Sequence, residues 1–268
     1  MKTPFLIPFS LFFFILSLHA SEPAAPTCPL TNRTYNASFS PSYLPLATPM
    51  PQDLTVINSE PWNFTIPNFL HADECRSLIA VATSSGLRAA NVGDSKQTKN
   101  TAIDSEHRRC SSLNFPASLG PIKRVRRRIA ALFENLPEEN LEVTQISRYR
   151  SGDFFREHDD GIHPYYESHA KQMCNPRVSH CNRVATIFVY SNDVQSGGET
   201  RFSQLEVSIK PREGMAVLFF PAKLPTDEED PGGLAERLMH ESMTAVDEKY
   251  ILQQFVWSGS YIGPGAIR

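Results

Sequence analysis

Apolar residues recur along this chain at helical spacing before residue 137 and in short, strand-length runs after it. Behind Asp73, a candidate N-cap, Cys75, Leu78, Ile79 and Ala82 mark one helix over 74–83. Ile122, Val125, Ile129, Leu132 and Phe133 form the apolar stripe of a second, with Lys123, Arg124, Arg126, Arg127 and Arg128 on its other faces. This basic cluster reads as a solvated helix face, with an anionic partner as the competing use. Strand-like runs follow at 143–149, 183–190, 205–211, 215–220 and 250–257, separated by turn signals at 196–198 and 230–233. The pattern predicts an α+β chain, mainly β, in which supporting helices precede a sandwich or barrel. No fixed-period repeat interrupts it.

The N-terminus departs from both rhythms. Lys2 precedes an apolar stretch at 4–18, and Ala20 stands where a signal peptidase would cut. A helix of that length falls short of a bilayer core of roughly 30 Å, and Pro4 and Pro8 shorten it further. Residues 1–20 are therefore expected to be a cleaved signal peptide, with a retained signal anchor as the alternative. Residues 21–51 hold seven Pro and lack apolar periodicity, which predicts a Pro/Ser-rich linker and a folded domain over 52–268.

Composition narrows the field. Lys plus Arg of 26 against Asp plus Glu of 29 gives a formal charge of −3, which supplies no global pull toward nucleic acid. Membrane contact is expected only if the N-terminal segment stays attached. Five Cys leave one thiol unpaired, and Cys174 with Cys181 is the expected local bridge in an oxidising lumen. Asn32, Asn36 and Asn63 fit the glycosylation acceptor pattern, and the first two are expected to be exposed. The chain has no Cys-x-x-Cys, no Gly-x-Ser-x-Gly, no Gly-rich dinucleotide fingerprint and no phosphate loop. Zinc-ribbon, serine-hydrolase and nucleotide-dependent chemistries therefore have no positive signal.

Candidate chemistry centres on 148–161. If residues 154–160 are extended, His158 and Asp160 project to one face and Asp159 to the other. An imidazole nitrogen and a carboxylate oxygen then reach one metal, and His240, just before the last β-rich run, is the candidate third ligand. Two His and one carboxylate on one face of an octahedral ion leave positions open, as in non-haem ferrous oxygenases. Asp159 remains a conceivable swap for Asp160.

Residues of about 143–257 resemble the catalytic core of prolyl 4-hydroxylase-type iron(II)/2-oxoglutarate dioxygenases. Four ordered segments carry the resemblance: Tyr149-x-x-Gly152 with Phe155 and His158-x-Asp160; Arg183-Val-Ala-Thr186 leading to Gly197-Gly-Glu-Thr200; Lys210-Pro211 with 214–220; and His240 followed by Lys249 and Phe255-Val-Trp257. The resemblance implies a double-stranded β-helix (jelly-roll) core with N-terminal supporting helices. It implies Fe(II) on His158, Asp160 and His240, and 2-oxoglutarate held by Lys249 with Tyr149 and Thr186. It also brings in O2 as cosubstrate and L-ascorbate as a candidate cofactor. Three departures bear on the prime substrate: Lys249 follows His240 by nine residues, Glu241-Ser-Met243 replaces a frequent Gly-Cys-Pro, and Gly161 replaces an aromatic residue.

The implied reaction converts 2-oxoglutarate to succinate and carbon dioxide while hydroxylating a C–H bond. The leading substrate is peptidyl proline in secretory or cell-wall proteins. Oxidation of a free amino acid or another small molecule, and a noncatalytic secreted β-barrel binding module, are the alternatives. Segments 161–182 and 223–233 are candidate lids, with His163, Tyr165, Tyr166 and Arg177 as candidate substrate contacts.

Overall fold

The computed structural model describes residues 42–51, 53–90, 106–162, 172–175, 181–225 and 232–267. The expected signal segment, most of the linker, Cys28, Asn32 and Asn36, most of both candidate lids, and His163, Tyr165, Tyr166 and Arg177 lie outside the described residues.

In chain order the elements are β1 (Thr55–Ser59), β2 (Trp62–Ile66), α1 (Ala72–Ser85), β3 (Arg88–Ala89), β4 (Arg108–Arg109), β5 (Ser111–Phe115) and α2 (Gly120–Ala130). Then come β6 (Thr144–Tyr149), β7 (Phe154–His158), β8 (Cys174–Asn175), β9 (Arg183–Tyr190), β10 (Thr200–Phe202) and β11 (Val207–Ile209). The chain closes with β12 (Ala216–Phe219), β13 (His240–Ser242), β14 (Lys249–Trp257) and β15 (Ser260–Tyr261). Eight strands form one sheet in the order β1-β2-β12-β9-β14-β6-β5-β3, and five form a second in the order β11-β10-β13-β7-β4. Strand pairing is antiparallel throughout both, as a jelly roll requires.

Strand β9 shows how the sequence makes two layers from one run. Ala185, Ile187 and Val189 pack on the helix side with Leu78, Ile122 and Ile129. Phe188 and Tyr190 point the other way, toward Phe202 and Ile209 of the smaller sheet. Both faces are covered, so the run is apolar without alternation. The inner face is the one that reaches the site.

Helix α1 begins one residue before the expected cap: His71 is the N-cap, and the Glu74 carboxylate accepts its backbone N–H at 3.0 Å. Asp73 sits inside the first turn, bonded to Arg76. In α2 the apolar stripe is buried as expected, but the solvated reading of its basic residues fails at two of them. Arg126 is 1% exposed and donates to the carbonyls of Glu138, Leu141 and Glu142 and to Gln254 Oε1. Arg128 forms a two-point pair with Glu74 at 2.7 and 3.0 Å. Positions on a helical wheel do not reveal that a neighbouring loop has left its carbonyls facing α2, and that is what draws Arg126 inside.

The packed body also starts earlier than residue 52. Tyr43 and Leu46 are buried, Leu46 bridges to Phe133, and Ala47 N–H donates to Leu132 O at 3.0 Å. Short strands carry little periodicity, and β1, β2, β5, β10 and β13 were not among the predicted runs. Asn63, which fits an acceptor pattern, lies fully buried in β2. Cys174 and Cys181 are disulfide-bonded, packed against Trp257 and Tyr261. Cys75 and Cys110 are buried free thiols.

Truncating Arg126 to Ala takes from the Leu141 carbonyl its side-chain donor and from the Glu138 and Glu142 carbonyls one of two donors each, and a buried acceptor left without a donor costs about 1–3 kcal/mol. Arg126→Ala should therefore lower the denaturation free energy by at least about 2 kcal/mol. Arg124→Ala, on the exposed face, should change it by no more than about 0.5 kcal/mol; urea titration of both variants checks the difference.

Candidate metal centre

Antiparallel register brings the distant ligands together: His240 in β13 stands directly opposite His158 in β7. Their ring centroids are 4.4 Å apart. Strand β7 ends at His158, so Asp160 reaches the site from the bend that follows and not from a continuing strand. Asp159 turns aside, its Oδ1 accepting the Gly161 N–H at 2.8 Å. The Asp160 carboxylate lies between the imidazoles, 3.6 Å from His158 Nε2 through Oδ1 and 3.6 Å from His240 Nε2 through Oδ2. All three ligand atoms fall within 4.8 Å of one another.

The donor set fits a divalent cation. Each imidazole meets a backbone carbonyl at Nδ1, His158 with Arg156 O at 2.7 Å and His240 with Leu238 O at 3.1 Å. A carbonyl only accepts, so Nδ1 carries the proton and the Nε2 lone pair faces the carboxylate. Burial, reinforced by neighbouring His240, pushes the His158 imidazole down to about 3. Two neutral lone pairs and one anion therefore converge, and buried Asp160 Oδ2 has no hydrogen-bond donor. A metal ion completes such a group, and nitrogen and oxygen donors of this kind suit ferrous iron. Phe155 stacks on His158 at 3.6 Å, and Phe219 and Phe202 pack on His240 at 4.9 and 5.4 Å, which excludes water from the back of the site.

Lys249 begins β14 opposite Tyr149 and is 1% exposed. Its Nζ donates to Gly198 O at 2.7 Å and Ser242 Oγ at 2.5 Å, and lies 4.4 Å from the centroid of the Tyr149 ring. Burial depresses its ammonium to about 7. Gly198 is favoured here by its φ of +71°, a backbone conformation that L side chains rarely adopt. Thr200, in the same Gly-Gly-Glu-Thr turn, pairs across the sheet with Ser242, and its Oγ1 accepts the Tyr190 hydroxyl at 2.8 Å. Ser242, Thr200 and Tyr190 thus extend the polar lining around Lys249.

Of the sequence-predicted residues, the structure gathers His158, Asp160 and His240 at one point and Lys249 with Tyr149 at another. Thr186 belongs to neither pair. It stands opposite Phe219 and Phe255, buried, with an unbonded Oγ1, six residues along β14 from Lys249. At 3.3 Å per residue that is about 20 Å along the strand, which separates it from Lys249 and sets it beside the Phe219 that packs on His240. Thr200, in the Gly-Gly-Glu-Thr turn, pairs with Ser242, whose hydroxyl accepts from Lys249. Arg108 carried no motif signal: its guanidinium lies 4.5 Å over Phe155, donates to Cys110 Sγ at 3.2 Å and bonds the Tyr149 hydroxyl. At the far end of β14, Glu142 holds Arg183 at 2.9 and 3.0 Å and accepts Trp257 Nε1 at 2.8 Å.

A family profile described as the 2OG-Fe(II) oxygenase superfamily matches residues 144–257, which contain all of these ligands. The chain is similar to "Probable prolyl 4-hydroxylase 11" of Arabidopsis thaliana, 29% identical over 202 residues that cover 66% of this chain and 62% of that protein. It is 30% identical over 203 residues to "Probable prolyl 4-hydroxylase 6" of the same plant, covering 69% and 66%. It thus spans less than two thirds of the length of these curated relatives. The fold is similar to that of the viral collagen prolyl hydroxylase of Paramecium bursaria Chlorella virus 1, with a TM-score of 0.54 at 23% identity over 73% of this chain and 95% of that one. That likeness, with the two antiparallel sheets, shows the double-stranded β-helix fold.

If the oxygenase ligands are those named, His158→Ala, Asp160→Ala and His240→Ala should each weaken metal binding by at least about 100-fold, since each leaves an incomplete donor set. Asp159→Ala should leave it within about threefold. Titration with Mn(II) followed by calorimetry measures both, and tight binding retained by the Asp160 variant but lost by the Asp159 variant would reverse the ligand choice.

Proposed function

We propose that this protein is an Fe(II)/2-oxoglutarate-dependent dioxygenase that hydroxylates peptidyl proline in proteins of the secretory pathway. The observation that carries the reading is the juxtaposition of two unlike sites in one barrel. A cation-seeking triad spans 4.8 Å, and a buried ammonium lies beside Ser242, two residues along β13 from His240. Such a pair suits a bidentate 2-oxo acid with a distal carboxylate. Bound there, ferrous iron and 2-oxoglutarate would supply the oxidising chemistry, with release of succinate and carbon dioxide and hydroxylation of a C–H bond.

The chain's own residues set the conditions for that chemistry. Backbone carbonyls of Arg156 and Leu238 fix both imidazole tautomers, so the ligands need no reorganisation on binding. Lys249 orients the distal carboxylate inside a low-dielectric wall, where a charge-assisted contact is strengthened. Phe155, Phe202 and Phe219 pack against the two imidazoles and shield the back of the site from bulk water. The peptidyl-proline substrate is supported by the likeness to plant prolyl 4-hydroxylases. The secretory setting is supported by the apolar stretch at 4–18 and by the Cys174–Cys181 bridge, a bond typical of oxidising compartments.

Succinate release should depend on both iron and 2-oxoglutarate, and a proline-rich peptide should gain one oxygen in mass; assays with and without L-ascorbate define that requirement. An iron-loaded preparation with no turnover on a broad peptide set, but turnover on free amino acids, would replace the substrate assignment. Loss of the charged contact in Lys249→Ala should raise the 2-oxoglutarate requirement about 10- to 100-fold while leaving Mn(II) affinity unchanged. An unaltered requirement would remove Lys249 from its role.

A further inference from the structure

Lys249 is a buried amine whose hydrogen-bond acceptors carry no charge. From β13 it meets the Ser242 hydroxyl, from the turn before β10 the Gly198 carbonyl, and from β6 the face of the Tyr149 ring. The ionisable groups facing it are Tyr149, the Cys110 thiol and, at longer range, the Glu199 carboxylate, with the Arg108 guanidinium beyond the Tyr149 hydroxyl. Its two hydrogen-bond acceptors are uncharged. Desolvation favours the neutral amine in such a place, and an arriving carboxylate reverses that preference.

We infer that Lys249 stands largely unprotonated in the resting site at mildly alkaline pH and takes up a proton when the distal carboxylate of 2-oxoglutarate binds. This rests on the cosubstrate reading above and adds a coupling to it. Both carboxyls of 2-oxoglutarate are already ionised above pH 6, so the proton comes from solvent and not from the ligand. In the free site the amine loses its proton as pH rises through about 7. In the bound site the adjacent carboxylate keeps it charged to higher pH. Uptake therefore grows with pH, from about one tenth of a proton at pH 6 to about nine tenths at pH 8. Affinity falls correspondingly above pH 7, approaching about tenfold per pH unit.

Calorimetric titration of the Mn(II)-loaded full chain, without oxygen and in buffers of different ionisation enthalpy, counts the protons directly. The comparison ligand is 2-oxopentanoate, which lacks only the distal carboxylate, so proton changes arising at the metal cancel in the difference. The expected difference is about 0.9 proton at pH 8 and about 0.1 at pH 6. Lys249→Arg, which stays charged throughout, should bind without uptake, whereas Cys110→Ser should retain it. A difference below about 0.2 proton at pH 8 overturns the inference, as does uptake that persists in the Arg variant or vanishes in the Ser variant. Should the Arg variant fail to bind, the wild-type difference between the two oxo acids decides alone. Absence of any 2-oxoglutarate heat in the wild type would instead overturn the cosubstrate reading itself.

Discussion

The pairing of β13 against β7 is the constraint on which the site depends. Side chains alternate across a strand, so a one-residue slip would turn His240 away from His158 and leave Asp160 beside a single imidazole. Three hydrophobic decisions hold that register. Phe202 and Phe219 pack on His240, and Phe155 packs on His158, so the aromatic wall and the metal ligands specify the same alignment. The carbonyls that receive Nδ1 come from Arg156 and Leu238, each two residues before its own histidine. Local backbone thus orients each ring, and long-range pairing only has to bring the rings together.

Charge is distributed along the barrel interior by role. The metal end is anionic and supplied with neutral imidazoles, while the Tyr149 end carries the Lys249 ammonium and the Arg108 guanidinium. Between them lie hydroxyls and aromatic faces. A dicarboxylic oxo acid has the complementary polarity, chelating at one end and ion-pairing at the other. The far end of β14 is different again, because Arg183 there is already neutralised by Glu142 and stacked 3.8 Å over Phe255.

Much of this was legible in the residues. Runs at 143–149, 183–190 and 250–257 are long and apolar enough to declare themselves, and they became β6, β9 and β14. The His-x-Asp motif with a later histidine identified the triad, although strand alternation was only half of the reason, since Asp160 arrives by a bend. Short strands such as β2, β10 and β13 were hidden because three to five residues hold too few periods to count. Thr186 was joined to Lys249 by the resemblance, and only strand register reveals the distance between them. Arg126 and Arg108 were illegible for a shared reason. An arginine looks solvent-bound in any linear pattern, and only tertiary structure shows which backbone acceptors or ring faces it was drawn toward.

Arg126 also shapes how the molecule comes apart. Its guanidinium joins α2 to the loop carbonyls of Glu138, Leu141 and Glu142 and to Gln254 on β14, so the helix and the closing strand share donors that neither can release separately. Fraying of the helix would withdraw the donors that Arg126 gives to the loop, and peeling of the strand would remove its Gln254 acceptor. Opening on the helix side therefore has to break contacts to the barrel as well as those within the helix layer.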